Sequence, residues 1–289
     1  MDLLCIGDVM LDVRVDADAL VRGGDVHGRV AVQPGGTSAN AAVWAAWDGA
    51  TARVHGGVGA DLAGRLLAEA LRERGVKMHL TPYPDATTGT MLVVHEPGER
   101  SMAADLGANA RFVADELPGI LVSGAVLVSG YLLLHEDTHP TGLAAIERSV
   151  SPFVAVEAAS WPLVETFGID RFFEVTKKAT VLLANEREAE ILAGVPGEAA
   201  ARLLGERFPI ACVKLGAEGA VASVDGVVHR APAESVDEVD PTGAGDAFDG
   251  VFLAAIARGA DVDDALRRAC HAGALVAASA QTWPEAGAR

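Results

Sequence analysis

The chain has 289 residues, of which 50% are hydrophobic and 22% charged, so it can bury a large core and is not typical of a disordered protein. Its net charge of −17 repels nucleic acid and anionic membrane surfaces, and we expect neither as a partner. No basic leader and no apolar run of membrane-spanning length are found, which predicts a soluble, cytoplasmic protein. Cys5, Cys212 and Cys270 are widely spaced in apolar stretches and are predicted to be buried, reduced thiols.

The first third of the chain mixes buried elements with exposed strands. The apolar run 3–6 predicts a buried strand, whereas alternation and several glycines between residues 13 and 34 predict exposed strands. Further elements are predicted in the order helix 38–47, strand 52–58, helix 63–74, strand 88–96 and strand 101–105. The exposed strands interrupt an otherwise regular alternation of strands and helices.

The rest of the chain alternates strands with helices. Strands are predicted at 125–129, 153–157, 180–184, 211–215 and 220–224, and helices at 141–149, 163–168, 186–193, 198–207, 244–258 and 262–279. Pro140 is predicted to prevent a helix at His139. This alternation predicts an α/β fold with a mostly parallel sheet covered on both faces, and ligands beyond the carboxyl ends of its strands. With no long linker, residues 1–289 are predicted to form one domain.

The most distinctive segment is Asp240-Pro241-Thr242-Gly243-Ala244-Gly245-Asp246, which opens an apolar helix. Unpaired amides and the positive end of the helix dipole make such a start an anion site. Asp246 could there accept a hydroxyl proton while the preceding amides hold a phosphoryl group. The alternative is a glycine-rich helix cap with an aspartate in its first turn. Spacing alone leaves both interpretations open.

Two other glycine-rich turns precede helices. Gly35-Gly36-Thr37-Ser38-Ala39-Asn40 allows close approach of a ligand to the backbone, and Asn40 offers a donor and an acceptor to sugar hydroxyls. Taken alone, this motif favours a simple capped turn. Gly57-Val58-Gly59 resembles half of a dinucleotide fingerprint, but Leu62 breaks the pattern. We therefore interpret it as a strand-to-helix turn capped by Asp61, which argues against a dinucleotide-dependent oxidoreductase.

Several polar residues follow predicted strands. Asn185 and Glu188 can organise Mg²⁺ and its waters, although helix capping by Asn185 explains them equally well. Lys214 begins a turn that runs to Gly219. This turn could border a nucleotide, or it could simply form a hairpin. The eight histidines show no metal-ligand spacing.

The order of these motifs resembles that of the ribokinase-like (PfkB) carbohydrate kinase family over nearly the whole chain. The resemblance implies a three-layer sandwich whose mostly parallel central sheet has helices on both faces, with a small β lid inserted from about 13–34 and 88–105. It also implies a phosphotransferase with an alcohol group as acceptor, in which Asp246 is the catalytic base and Gly243–Gly245 form the anion hole. The cofactors implied are ATP, Mg²⁺ and, in some members, K⁺.

The remaining positions follow from the same resemblance. It implies sugar contacts at Asp12, Gly36 and Asn40, nucleotide contacts at Asn185, Lys214, Gly216, Gly219 and His271, Mg²⁺ bound through water at Glu188, a monovalent cation at Asp240 and Thr242, and the anion hole at Gly243, Ala244 and Gly245. The lid edges also suggest a homodimer through the lid.

Two departures bear on the acceptor, which the resemblance implies is a sugar or sugar acid. Met10 stands where ribokinases proper have an asparagine, so ribose loses a hydrogen-bond partner, and Thr37 replaces a lysine, which removes a charge. The alternatives are a nucleoside kinase and a non-catalytic sugar-sensing protein that keeps the fold. In a nucleoside kinase the base could stack on Trp44, Trp47, Trp161 or Tyr131, although buried packing is the interpretation we favour for these rings.

Overall fold

A nine-stranded sheet forms the centre of the computed structural model, which describes residues 1–96 and 99–287. The strands in chain order are β1 (Leu3–Ile6), β2 (Met10–Asp16), β3 (Arg29–Gly35), β4 (Ala52–Gly59), β5 (Lys77–Tyr83), β6 (Gly89–Glu96), β7 (Glu99–Asp105), β8 (Leu121–Val122), β9 (Ala125–Val128), β10 (Ser149–Val150), β11 (Phe153–Glu157), β12 (Val181–Asn185), β13 (Ile210–Lys214), β14 (Ala220–Val224) and β15 (Val227–Ala231). The order across the sheet is β15-β14-β13-β12-β11-β9-β1-β4-β5. Pairing is parallel from β5 to β13 and antiparallel at β14 and β15.

Helices cover both faces of this sheet. They are α1 (Thr37–Trp47), α2 (Leu62–Glu73), α3 (Gly130–Leu134), α4 (His139–Arg148), α5 (Trp161–Phe167), α6 (Ile169–Val175), α7 (Glu186–Ala193), α8 (Gly197–Leu204), α9 (Ala244–Ala257) and α10 (Val262–Ala277). Successive strand residues point to opposite faces. In β1, Leu3 and Cys5 pack in the core with α1, α2, α9 and α10, while Leu4 and Ile6 pack in the core with α3 to α8. The result is a three-layer sandwich.

A second sheet of four strands, in the order β3-β2-β6-β7, lies outside the sandwich, and we call it the lid sheet. Residues paired directly across strands share a face. One face therefore carries Val13, Val32 and Leu92, of which Val32 is 59% exposed. The other face carries Asp12, which is buried, and Gln33, whose Nε2 donates to the hydroxyl of Thr282 at 3.1 Å. The lid sheet is thus apolar outside and presents these polar side chains inside, beside the buried Val93.

The predicted fold class is confirmed, with six omissions and one error in the elements. The sequence pattern did not identify β5, β8, β10, β15, α3 and α6. Helix α4 begins at His139 with Pro140 in its first turn, so the expectation that Pro140 prevents a helix there is wrong. Proline is tolerated at this position because the first helical N–H groups need no partner within the helix. No helix in the described part of the chain is both long and apolar enough to span a bilayer.

Candidate active site

The polar groups converge at the carboxyl ends of the parallel strands. Asp8 follows β1, Ser129 follows β9, Glu157 ends β11, Asn185 ends β12 and Lys214 ends β13. The chain leaves β1 toward β4 on one side, while β9 lies on the other side, so the strand order reverses between β1 and β9. This is where open α/β sheets bind ligands.

Helix α9 opens toward this edge. Its N-cap residue, Gly243, has a left-handed φ of 84° and makes no side-chain cap. A Cβ at this position would lie 2.4 Å from Cγ2 of Thr282, so both the backbone angle and the space require glycine. The N–H groups of the first turn have no partner within the helix, and that of Ala244 donates to the Pro241 carbonyl at 3.1 Å. Gly243, Ala244 and Gly245 therefore form a candidate anion site.

Asp246 lies in the first turn of α9 but does not serve as its cap. Its Oδ2 accepts a hydrogen bond of 2.7 Å from Nδ2 of Asn40, which is buried in α1. Burial and the neighbouring carboxylate of Asp249 raise the pKa of Asp246 to about 7, against the opposing effects of Asn40 and Lys214. Such a carboxyl group can accept a proton near neutral pH. The glycine cap with an aspartate in the first turn is thus present, and the bond from Asn40 gives Asp246 a contact that capping does not require.

Lys214 and Asp249 form a buried ion pair beside the anion site. Nζ of Lys214 is 2.7 Å from Oδ2 of Asp249, and the two side chains are 14% and 1% exposed. Burial acts to lower the pKa of Lys214, but the carboxylates of Asp249, Glu157 and Glu188 outweigh it and raise that pKa. A Cβ built on Gly245 would lie 3.4 Å from Nζ. A fixed positive charge therefore borders the start of α9.

Asn185 and Glu188 form reciprocal hydrogen bonds at the start of α7. The Oδ1 of Asn185 accepts from the Glu188 N–H at 2.9 Å, and Oε2 of Glu188 accepts from the Asn185 N–H at 2.8 Å, which forms a capping box. The capping role considered for Asn185 is thus present. Glu157 lies close to Glu188, and burial together with that carboxylate raises its pKa well above the usual value.

A groove of about 340 Å³ runs along the amino end of α9. Its lining includes Lys214, Gly216, Gly219, Ala244, Gly245, Glu234 and Gly273. Three of the predicted nucleotide contacts therefore share one groove with the anion site. His271 lies at its border, where Nδ1 is 2.9 Å from the carboxylate oxygens of Glu234 and the ring lies 6.2 Å from that of Trp47.

On the opposite side, the polar face of the lid sheet covers the site. Asp12 is buried, and burial together with Asp240 raises its pKa to about 6. Gly35, paired with Met10 at the end of β3, leaves room for Asp12, because a Cβ there would lie 2.3 Å from its Oδ2. Gly36 has a left-handed φ of 94° at the start of α1.

Asp240 joins the lid sheet to the start of the α9 motif. Its Oδ1 accepts from the N–H and the hydroxyl of Thr242 at 3.0 and 2.7 Å, and its Oδ2 accepts from Nη1 of Arg14 at 2.6 Å. Burial acts to raise the pKa of Asp240, but the Thr242 hydrogen bonds and the Arg14 charge lower it overall. Asp240 is therefore ionised at neutral pH.

Within residues 1–96 and 99–287, no group of three or more His, Cys, Asp or Glu side chains is arranged to hold a metal ion. Two buried carboxylate oxygens near Lys214, Oε2 of Glu157 and Oδ1 of Asp249, have no hydrogen-bond partner among the described residues. Oxygen atoms of this kind suit Mg²⁺, which commonly takes one or two protein carboxylates and completes its shell with phosphates and water.

Comparison with known proteins decides the family. The pfkB family carbohydrate kinase model matches residues 1–285. The chain belongs to this family. The ribokinase of Bacillus subtilis is 29% identical over 283 residues, which cover 95% of this chain and 92% of that protein. The 2-dehydro-3-deoxygluconokinase of Thermoproteus tenax is 31% identical over 256 residues, covering 83% and 78%.

The fold of this pfkB kinase also matches solved structures. Adenosine kinase from Sinorhizobium meliloti superposes with a TM-score of 0.84 at 22% identity, covering 98% of this chain and 96% of that chain. The predicted ribokinase-like architecture is thereby confirmed. The chain is a phosphotransferase, a sugar or nucleoside kinase of the ribokinase family, and kinases of this family use ATP and Mg²⁺ in general.

Sequence reasoning missed several side chains of the pfkB site. Glu157 and Asp249 were not considered, although Asp249 stands three residues after Asp246 and so shares its helix face. Arg14 lies in an exposed-strand pattern that gives no sign of its ion pair. Trp283 lies beyond the last helix, where no periodic pattern exists to predict burial.

Proposed function

We propose that this chain is an ATP-dependent kinase that phosphorylates a hydroxyl group of a sugar, with Asp246 as the general base. One observation carries the proposal: a carboxyl group with a pKa of about 7 lies in the first turn of α9, next to the backbone amides of Gly243–Gly245 at the start of that helix. A base and an anion site within one helical turn suit transfer of a phosphoryl group onto a hydroxyl.

The proposed step is a single displacement. As the acceptor oxygen bonds to the γ-phosphorus of ATP, its proton passes to Asp246 and the bond to the β-phosphate oxygen breaks, which releases ADP. Gly243, Ala244 and Gly245 would donate their N–H groups to the transferring phosphoryl group. Lys214 would offset negative charge there, since its ammonium is held beside Gly245.

The groove along α9 is the proposed ATP site. Lys214, Gly216 and Gly219 line it, and Gly273 on α10 leaves its wall open. His271 would lie at the adenine end, and Asn185 near the phosphates. Glu188, together with Glu157, would hold Mg²⁺ through its waters and phosphate oxygens, and the ion would supply charge neutralisation during transfer.

The charges under the lid sheet favour a neutral sugar as acceptor over a sugar acid. Four carboxyl groups lie on this side of the site, those of Asp8, Asp12, Asp240 and Asp246. The positive charge of Arg14 is already paired with Asp240. An anionic acceptor would meet repulsion from these groups. Asp12, Gly36 and Asn40 are the proposed contacts to the acceptor, with the lid excluding water.

A nucleoside is the second candidate acceptor. A cavity beside Asp8 is lined by Tyr131, Phe112 and Leu132. Side chains of this kind could pack against an aromatic base. Its free space is about 20 Å³, however, room for about one water molecule. A base would need these side chains to move, so a compact sugar is favoured.

The lid sheet is the proposed dimer interface. Val30 and Val32 on β3 are 66% and 59% exposed, and they lie on the same face as Val13. An apolar sheet face of this kind is stabilised by a second copy. Replacing Val30 and Val32 by lysine should convert a dimer to a monomer in sedimentation; a wild-type monomer at all concentrations would contradict the interface.

A monovalent cation at Asp240 and Thr242 is proposed separately. The Arg14 guanidinium already neutralises Oδ2 of Asp240, so K⁺ should activate turnover only modestly. Titration with KCl against NaCl at constant ionic strength tests this, and an absolute requirement for K⁺ would contradict it.

The deciding experiment measures ADP release with neutral sugars, sugar acids and nucleosides. We expect a neutral sugar to give the highest kcat/KM, and Asp246→Asn to lower kcat by about a thousandfold, within the range for a lost general base. Asp170→Asn, an exposed aspartate, is the control. A sugar that binds without ADP release would favour a sensing protein, and near-wild-type turnover by the Asp246 variant would refute its role.

A further inference from the structure

Residues 278–287, after α10, pack back onto the site without forming a helix. Within them Thr282 and Trp283 are buried, at 2% and 4% exposure. Several contacts hold the segment. Nε1 of Trp44 donates to the Thr282 carbonyl at 2.9 Å, Nε of Arg74 donates to the Pro284 carbonyl at 3.0 Å, and the Arg74 guanidinium covers the Trp283 ring at 5.2 Å. An irregular segment is thereby fixed in position.

The indole of Trp283 makes a hydrogen bond that reaches the proposed base through one residue. Its Nε1 donates to Oδ1 of Asn40 at 2.6 Å, and Nδ2 of Asn40 donates to Oδ2 of Asp246 at 2.7 Å. An indole nitrogen is a donor only. The carbonyl oxygen of Asn40 must therefore face Trp283, and its NH₂ group must face Asp246.

The opposite amide orientation would be unfavourable at both ends. It would set N–H against N–H at Trp283 and a carbonyl oxygen against the carboxylate of Asp246. With the indole absent, only the second of these penalties would remain. The bond from Trp283 thus adds to the preference for the orientation in which Asn40 stabilises the ionised form of Asp246.

We propose that Trp283 is a positioning residue of the active site, whose indole N–H holds the Asn40 amide with its NH₂ group toward Asp246. The inference rests on the proposed role of Asp246 as the base. The other charged groups near Asp246 are Asp249 on the same helix, Lys214 at the end of β13 and Asp8 after β1. None of them belongs to the segment that carries Trp283, so a substitution there leaves these charges in place.

The test compares Trp283→Phe with Trp44→Phe. Each substitution removes a buried indole donor at the segment 278–287. The Trp44 indole donates to Thr282 in that segment, whereas the Trp283 indole donates to Asn40. We expect the acid limb of the kcat/KM profile to move up by half a pH unit or more in Trp283→Phe, with Trp44→Phe unchanged. An unmoved limb in Trp283→Phe, or an equal movement in both variants, would overturn the proposal.

A second measurement does not depend on turnover. The pKa of Asp246 can be followed by ¹³C NMR of its carboxyl carbon, assigned from the resonance lost in Asp246→Asn. Trp283→Phe should raise the pKa of Asp246 when Asn40 is present. The same substitution should leave that pKa unchanged in an Asn40→Ala protein, where the indole has no amide to orient. A rise of equal size in that background would refute action through Asn40.

This measurement also separates the two proposals. If no acceptor is phosphorylated but the Asp246 pKa still depends on Trp283, the proposed function fails and the positioning role stands. Should Trp283→Phe not fold, the wild-type protein serves: the Trp283 indole and Asn40 amide ¹H–¹⁵N resonances should both titrate with the Asp246 carboxyl. Resonances that do not follow that titration would refute the connection.

Discussion

Arg14 in the lid sheet and Asp240 at the start of the α9 motif are joined by a hydrogen-bonded ion pair of 2.6 Å between Nη1 and Oδ2. Their side chains are 13% and 7% exposed, so water screens the pair less than it screens a surface salt bridge. The pair links two parts of the chain that are 226 residues apart. It therefore holds the lid sheet over the proposed acceptor site.

Replacing Arg14 by methionine should loosen the lid. We expect KM for the acceptor to rise about tenfold, equivalent to about 1.4 kcal/mol, with a smaller change in KM for ATP, because the groove along α9 lies apart from the lid. Steady-state kinetics with each substrate varied in turn measure this. Arg29→Met, an exposed arginine on β3, is the matched control. Equal changes in both KM values would show that Arg14 does not act through the lid.

Activity should depend on pH through Asp246. As a base it works when deprotonated, and its pKa is raised to about 7, so kcat/KM should fall as pH decreases through 7 and level off above it. The profile between pH 5.5 and 9 measures this, with stability checked at each pH. A profile that stays flat from pH 8 to 6 would rule out Asp246 as the titrating base.

The raised pKa of Asp246 also affects stability, but stability should decrease with rising pH whereas activity should increase. Because the folded pKa of Asp246 lies above the unfolded value, this group favours the folded state fully below pH 3.8 and loses that contribution as pH rises through about 7. The Tm of Asp246→Asn relative to wild type should therefore increase between pH 4 and 8. Thermal unfolding at several pH values tests this, and a difference that stays constant would contradict it.

Much of the fold was predictable because its signals are local. Strand β1 and helix α7 were predicted at their observed bounds, since an apolar run and a capping pattern each lie within a few residues. The start of α9 at Ala244 was also predictable, because a glycine-rich turn leads directly into an apolar helix. Edge strands such as β5 were missed since only their pairing with β4 makes them strands.

The rest of the site depends on contacts between distant residues. Trp283 and Asn40 are 243 positions apart, and neither one's local sequence indicates the other. The Asn40 motif predicted a polar residue in the site but not which way its amide points. Asp249 resembles any aspartate in a helix until Lys214, at the end of β13, is placed beside it. Such pairings follow from the topology and not from local pattern.

The buried pair of Lys214 and Asp249 gives a prediction for stability. Lys214→Met should lower the free energy of unfolding by about 3–5 kcal/mol, because Asp249 is left as an unpaired buried carboxylate. The double variant Lys214→Met with Asp249→Asn should recover most of this loss, since residue 249 no longer carries an unpaired buried carboxylate. Urea unfolding of the two variants and wild type measures both effects, and equal destabilisation of single and double variants would contradict the pairing.

Activity should not recover in that double variant. The ammonium of Lys214 borders Gly245 at the anion site, and a neutral methionine cannot offset the negative charge of a transferring phosphoryl group. We expect kcat to remain at least about a hundredfold below wild type although the protein is stable. Asp249→Asn alone keeps the lysine and should retain more activity than the double variant. If the double variant regained wild-type kcat, Lys214 would have only a structural role.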